Sequence, residues 1–161
     1  MESLINWMAD STFNEWTTAV GLVWPTAEIF HFLGLSLLIG SMLIIDLRLF
    51  GFFRTIKIET THKLLRWALL GFGMNFITGL IFLFGNPVRY AENIGFRIKA
   101  VLIIVAGLNA LWFYLAVRPK MATWGPDDEP PLVAKTVAVV SLGVWFAILV
   151  LGRMIPYVGT G

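Results

Sequence analysis

Residues 29–45 read IFHFLGLSLLIGSMLII and contain no Asp, Glu, Lys or Arg. A helix needs about 20 mostly apolar residues to cross the hydrocarbon core of a bilayer, so this stretch has nearly the composition and length of a membrane span. Three more segments lack these charged residues: 67–88, 100–117 and 136–152. The runs are continuous, whereas a transmembrane β-barrel alternates apolar and polar residues over strands of about 10 residues. The sequence therefore predicts an all-α integral membrane protein, a four-transmembrane-helix bundle with spans at about 26–48, 64–87, 97–117 and 134–155.

The composition agrees with this fold class. Hydrophobic residues make up 58% of the 161-residue chain and charged residues only 14%, whereas a soluble domain carries about 25% charged residues. The length leaves room for a single membrane domain, 1–161, whose first partner is the lipid bilayer. The net charge of +2 is spread between apolar segments and predicts no nucleic-acid partner. The absence of cysteine excludes disulfides, iron–sulfur clusters and thiolate metal sites.

Lysine and arginine are distributed unequally between the two sides of the bundle. Eight lie in or beside the loops after spans one and three, and four lie on the other side. Basic residues are enriched in cytoplasmic loops. We therefore expect a multi-pass protein of the bacterial inner membrane, with both termini in the periplasm.

The segment before span one predicts a short amphipathic surface helix within residues 1–23. Thr12-Phe13-Asn14-Glu15 fits a capping box, with Thr12 as the cap. Phe13, Trp16 and Val20 then recur at helical spacing. We expect this helix to lie on the outer, periplasmic membrane surface.

His31 is the most informative side chain, because an ionisable group at membrane depth is costly and usually has a functional partner. One interpretation is a neutral imidazole that is hydrogen-bonded to Glu28 or Thr78. The other is a ligand for a metal or cofactor, since imidazole binds haem iron, copper and zinc. Counting 1.5 Å per helical residue places one set of side chains in a common outer layer. These are Glu28, His31, Thr78, Arg97, Lys99, Arg153 and Met154.

A haem in this layer would use several of these residues. Arg97, Lys99 and Arg153 supply cations for the propionates. Met154 is a possible second axial ligand, because His/Met ligation is an established haem arrangement, or it simply faces lipid. Small residues beside His31, among them Gly34 and Gly71, either make room for a macrocycle or allow close helix packing.

His62 is expected at the opposite, cytoplasmic end, roughly 25 Å from His31 along the membrane normal. The two histidines therefore cannot both ligate one iron within one subunit. His62 is either solvated in the headgroup region or a separate cofactor or metal ligand. Near it, we expect Asp46 to form an interfacial ion pair with Arg48 or Arg66.

Several short motifs point to a known group of proteins. They are the early His31, the Gly34 to Gly40 run, Asp46-Leu47-Arg48-Leu49, Thr78-Gly79 and Lys99. The chain resembles a loose group of four-helix bacterial membrane proteins that includes protoporphyrinogen oxidases of the HemJ type and membrane domains of the CopD type. More closely, it resembles an uncharacterised bacterial inner-membrane family with a Trp-Pro-x-x-Glu-x-x-His-x-x-Gly opening. The HemJ likeness implies b-type haem near His31 and Lys99, and the CopD likeness implies copper handling. The third span lacks the histidine that HemJ-type proteins tend to carry.

Three functions remain open at this point. The first is a b-type haem protein for electron transfer, or an oxidoreductase, that exchanges electrons with quinone or a periplasmic redox partner. The second is a copper-binding or copper-transport subunit with His31, Glu28 and Met154 as ligands. The third is a cofactor-free assembly protein. In each case the glycines on spans two and four lead us to expect a homo-oligomer.

Overall fold

The computed structural model describes residues 2–121, 124 and 128–158, except for the side chains at positions 58 and 59. Most of the described residues are helical, and none of them lies in a strand. The helices are α1 (Glu2–Ala9), α2 (Thr12–Ala19), α3 (Val23–Phe50), α4 (Ile58–Gly85), α5 (Pro87–Ala91), α6 (Ile94–Trp112), α7 (Arg118–Met121) and α8 (Leu132–Met154), and a π-helical segment (Phe113–Val117) joins α6 to α7.

Four helical stretches are long and apolar enough to cross a membrane. They are Val23–Phe50, Thr60–Gly85, Ile94–Met121 and Leu132–Met154. The prediction of an all-α membrane protein with four spans is therefore confirmed. Residues 2–22, 86–93 and 155–158 lie at one end of the bundle, called the terminal end below. Residues 51–57 connect α3 to α4 at the opposite end, called the loop end, where the described residues 118–121, 124 and 128–131 also lie.

Local chemistry fixes where the spans begin and end. α3 stops at Gly51, whose φ of 114° lies in the left-handed region that glycine adopts most easily. α6 starts after Asn93, whose side chain accepts a hydrogen bond from the backbone N–H of Phe96 at 3.1 Å. The amide of Asn93 also donates to the carbonyl oxygens of Ile155 and Val158 at 3.0 and 2.6 Å. One buried side chain thus caps α6 and ties the end of α8 to it.

The N-terminal region forms two short helices rather than one. The cap of α2 is Ser11, whose hydroxyl accepts from the N–H of Asn14 at 3.1 Å, so the predicted cap at Thr12 is wrong by one residue. Ser11 is the residue with extended backbone, which lets its side chain turn back to the helix, whereas Thr12 is already helical. The Asn14 amide donates to the carbonyl of Phe84 at 2.6 Å and anchors α2 to the end of α4.

The four long helices pack as an open row rather than a closed square. α3 packs against both α4 and α8, and α8 packs against α6, but no comparable contact joins α4 and α6. The α3–α4 contact is closest at two glycines, because a Cβ added to Gly71 would lie 2.5 Å from the carbonyl oxygen of Gly34 and 2.6 Å from the N atom of Leu38. Small residues allow such close backbone approach between membrane helices.

The best-packed apolar core lies at the loop end. It joins the end of α3, the π-helical segment, α7 and the start of α8. Its buried members are Ile45, Leu49, Val117, Met121, Ala134, Val137 and Ala138. This core holds the helices together at one end and leaves a gap between α4 and α6 nearer the middle of the bundle.

Candidate functional site

His31 lies on α3 and is held by Thr78 on α4. Its Nδ1 atom is 2.7 Å from the Thr78 hydroxyl oxygen. That hydroxyl is also 2.7 Å from the carbonyl oxygen of Met74, one turn earlier on the same helix. A carbonyl can only accept, so the single hydroxyl proton goes to Met74 and His31 donates from Nδ1–H to Thr78. This arrangement leaves the lone pair of Nε2 without a proton. Of the two partners expected for a neutral imidazole, the structure selects Thr78.

The ring of His31 is half-buried and lies between α4 and α6. Phe82 on α4 is a ring neighbour, with centroids 5.4 Å apart. Lys99 on α6 is near enough to interact electrostatically with the imidazole. The Lys99 ammonium lies against α8, where a Cβ added to Gly152 would meet Nζ at 3.2 Å. His31 thus faces the side of the bundle where α4 and α6 do not pack together.

Lys99 is a half-buried cation, and it forms no ion pair within the part of the chain that the structure describes. It lies in the second turn of α6, at the level of His31 and close to the terminal end. A lysine in this position can bind an acidic group of a ligand.

The other cations and the carboxylate of the predicted outer layer are exposed. Glu28 accepts a hydrogen bond from Trp24 Nε1 at 3.1 Å, one turn before His31. Arg97 donates from Nε to the carbonyl oxygen of Ala91 at 2.8 Å. These contacts place both side chains at the terminal end, on the surface of the bundle.

Arg153 and Met154 end α8 at the same level. Arg153 donates to the Tyr157 hydroxyl at 3.2 Å, and its guanidinium carbon lies 5.3 Å from the centre of that ring. The Met154 side chain is 40% exposed. The structure therefore places all seven outer-layer residues near one end and brings Thr78 and Lys99 into interaction with His31.

His62 lies far from this site. It is exposed and occupies the start of α4 at the loop end. Thr78, the partner of His31, lies sixteen residues further along the same helix, which corresponds to about 24 Å. This separation agrees with the value expected from counting residues along the spans.

The glycines near His31 serve mainly to pack helices. A Cβ on Gly34 would meet the Asn75 amide nitrogen at 2.7 Å and the carbonyl oxygen of Gly71 at 2.9 Å, so the α3–α4 face is closed. A Cβ on Gly79, beside Thr78, would have nothing within 4 Å. The face between α3 and α4 therefore has no room for a flat ligand of His31.

The structure also contains a polar cluster that the sequence reasoning missed. Asp46, Asn109 and Ser141 are 1%, 8% and 2% exposed and line one cavity of about 230 Å³. Among the described residues, Asp46 Oδ2, Asn109 Oδ1 and Ser141 Oγ have no hydrogen-bond partner. The signal available in the sequence was the presence of Asn109 and Ser141 inside otherwise apolar spans.

The expected ion pair of Asp46 is wrong. Within the described part of the chain Asp46 pairs with neither Arg48 nor Arg66. Arg48 instead donates from Nε to the carbonyl oxygen of Ile56 at 3.0 Å in the turn after α3. The physical reason is helical geometry, because residues two apart on a helix point in different directions.

No group of three or more His, Asp or Glu side chains that could hold a metal ion occurs among the residues that the structure describes. A metal site built from such side chains alone is therefore not preformed around His31.

Comparison with known proteins gives one family. Searches of the curated proteins and of the solved structures each gave no match, so the resemblance to HemJ-type and CopD-type proteins has no counterpart there. The model of a family of unknown function, DUF6644, matches residues 4–158, which is nearly the whole chain. The chain therefore belongs to the DUF6644 family.

Proposed function

We propose that this protein binds one b-type haem through Nε2 of His31 and serves in electron transfer at a bacterial inner membrane. The observation that carries the proposal is the hydrogen bond between His31 and Thr78. Because Nδ1–H of His31 donates to the Thr78 hydroxyl, Nε2 has a free lone pair at membrane depth. Metal-bound histidines usually donate their other ring N–H to a neighbouring group in this way.

The residues around His31 fit a haem better than a bare metal ion. A porphyrin would supply most of the ligands of its own iron, so a single imidazole such as that of His31 would be enough to hold it. A copper ion would need several protein ligands, and no group of three His, Asp or Glu side chains offers them among the described residues. The ammonium of Lys99, which has no ion-pair partner among the described residues, suits a haem propionate. Bound haem would supply one-electron transfer.

The proposed binding region for the porphyrin ring is the side of the bundle between α4 and α6. The close approach of Gly34 to Gly71 leaves no room between α3 and α4, whereas α4 and α6 are not packed against each other. His62 lies too far away to be the second ligand in the same subunit. His31 would hold the haem, and Met154 or a side chain of a neighbouring subunit in a homo-oligomer would be the candidates for a second protein ligand.

The direction of the bundle in the membrane follows from the basic residues. More of them lie at the loop end, which we place in the cytoplasm, with the terminal end and the His31 layer on the periplasmic side. This orientation would give the haem access to a periplasmic redox partner or, through the lipid, to quinone.

The test is the absorption spectrum of the protein purified from cells with ample haem supply, before and after reduction with dithionite. We expect a Soret band and sharpened α and β bands on reduction. His31→Ala should abolish these bands, and the matched control His62→Ala should keep them. Thr78→Val, which preserves shape but removes the acceptor of Nδ1–H, should weaken haem retention by about 10- to 100-fold.

Three results would overturn the proposal. The first is a protein without a Soret band, and the second is a haem spectrum that survives His31→Ala. The third is copper without iron in elemental analysis, with loss of copper in His31→Ala. A folded protein with neither metal and no change beyond stability in His31→Ala would point to an assembly role.

A further inference from the structure

A second site lies in the loop-end half of the bundle, away from the His31 layer. The cavity of about 230 Å³ is lined by residues of α3, α4, α6, α8 and the π-helical segment. Since α4 and α6 do not pack together, the cavity occupies the gap between them. We call it the Asp46 cleft, after the carboxylate at its base. Asp46 lies four residues before the end of α3.

The unpartnered polar atoms of the cleft favour a donor or a cation. Asn109 Oδ1 is an acceptor, and so is Asp46 Oδ2 in the ionised carboxylate. Ser141 Oγ lies close to Asp46 and has lone pairs that can accept in addition to its own O–H. The amide nitrogen of Asn109 is already used, because it donates to the carbonyl oxygen of Val137 at 3.1 Å. This bond fixes the orientation of the amide and leaves its oxygen as the free atom.

An ionised Asp46 would carry a charge that the side chains of the cleft do not balance. Among the described residues that line the cleft, Asp46 is the only ionisable one, and no lysine, arginine or histidine accompanies it there. Removing a carboxylate from water costs several kcal/mol unless a positive charge or hydrogen bonds compensate for it. Within the described residues the Asp46 carboxylate has no cationic partner. A ligand with positive charge would supply the missing compensation.

The walls of the cleft favour an organic ligand over a metal ion. Phe72 and Trp145 form an edge-to-face pair with centroids 6.3 Å apart, and both line the cavity together with Phe113. Aromatic faces attract ammonium groups, and apolar walls favour hydrocarbon. A bare inorganic ion would fill little of the volume and leave the apolar walls in contact with water.

We propose that the Asp46 cleft binds a small organic ammonium ion, which enters from the bilayer between α4 and α6. The charged nitrogen lies beside Asp46 and donates to the oxygens of Asn109 and Ser141. The hydrocarbon part contacts Phe72 and Trp145. This site is independent of haem binding at His31, since it uses other residues at the other half of the bundle.

The test is equilibrium binding of radiolabelled 2-phenylethylammonium to the full chain in lipid nanodiscs, with empty nanodiscs as the baseline. We expect saturable binding that the neutral analogue 2-phenylethanol does not displace. Asp46→Asn should raise the dissociation constant about tenfold or more, as expected from the loss of a hydrogen bond to a charged group. The matched control Asp10→Asn, at an exposed acid of the N-terminal region, should leave it unchanged.

The possible results separate clearly. Three results would overturn the proposal. They are no saturable binding, binding to Asp46→Asn as tight as to the unchanged protein, and displacement of the label by 2-phenylethanol or sodium ions as effective as by unlabelled 2-phenylethylammonium. If Asp46→Asn does not yield folded protein by circular dichroism and gel filtration, Ser141→Ala decides. Weaker binding in that variant supports the site, and unchanged binding overturns it.

Discussion

Gly71→Ala should break the tightest helix contact of the bundle. The added methyl group would lie 2.5 Å from the carbonyl oxygen of Gly34 and 2.6 Å from the backbone nitrogen of Leu38. Both atoms belong to the α3 backbone, so no flexible side chain can move aside. Ordinary contact begins near 3.4 Å, and α3 and α4 must therefore separate by about 0.9 Å.

The expected change in the free energy of unfolding has two parts. Overpacking of a close contact costs about 1–3 kcal/mol, and the backbone clash on both sides of the methyl group argues for the upper end. Replacing glycine by alanine within a helix returns up to about 1 kcal/mol. We therefore expect Gly71→Ala to lower the free energy of unfolding by about 2 kcal/mol.

Gly73→Ala is the matched control, because a Cβ at that position of the same helix would have nothing within 4 Å. It should leave the stability unchanged or raise it by up to about 1 kcal/mol. Both variants can be compared by unfolding in mixed micelles with increasing SDS, followed by circular dichroism. Equal midpoints for Gly71→Ala and Gly73→Ala would refute the argument that the α3 and α4 backbones touch at this point.

Two further predictions concern other parts of the chain. Asn93→Ala should lower the free energy of unfolding by about 2–3 kcal/mol, since it removes the cap of α6 and the donor to two carbonyl groups after α8. The exposed cap variant Asn86→Ala should cost about 1 kcal/mol or less in the same SDS titration, and equal losses would contradict the structural role of Asn93. At the loop end, the hydrogen bond from Lys135 and its positive charge lower the pKa of Glu129. The small contribution of this pair to stability is therefore present at neutral pH and is lost as the pH falls through the lowered pKa. A carbon-13 NMR titration should show the Glu129 pKa rising in Lys135→Met, and an unchanged value would argue against the pair.

Much of the architecture could be predicted from the sequence because hydropathy is a local property. The four apolar runs identify the four spans without any knowledge of their neighbours. Depth along a helix is also nearly local, since each residue adds 1.5 Å. This is why His31 and Thr78 could be placed at one level, and why His62 could be placed far from both. Their hydrogen bond follows once α3 and α4 are adjacent.

The Asp46 cleft could not be predicted in the same way. Depth counting gives the height of a side chain but not the neighbour that its helix face meets. Asn109 and Ser141 meet Asp46 only because α6 and α8 take particular places around α3, with α4 left apart from α6. The same limit applies to Gly34 and Gly71. Small residues on two helices are compatible both with room for a ligand and with close packing of the helices, and only the distance between the helices distinguishes the two.

The π-helical segment Phe113–Val117 has a consequence for the rotation of the third span. Asn109, Val117 and Met121 are all buried, at spacings of eight and four residues. In a regular α-helix, with 3.6 residues per turn, residues spaced by four drift steadily around the axis. The π turn contains more residues than an α turn, so it cancels this rotation as one inserted residue would, and Val117 and Met121 stay on the buried side. Removing one residue here would turn the two halves of the helix by about 100° relative to each other. A single backbone irregularity thus sets the rotation of the part of this span that places Asn109 in the cleft relative to the part that packs into the apolar core at the loop end.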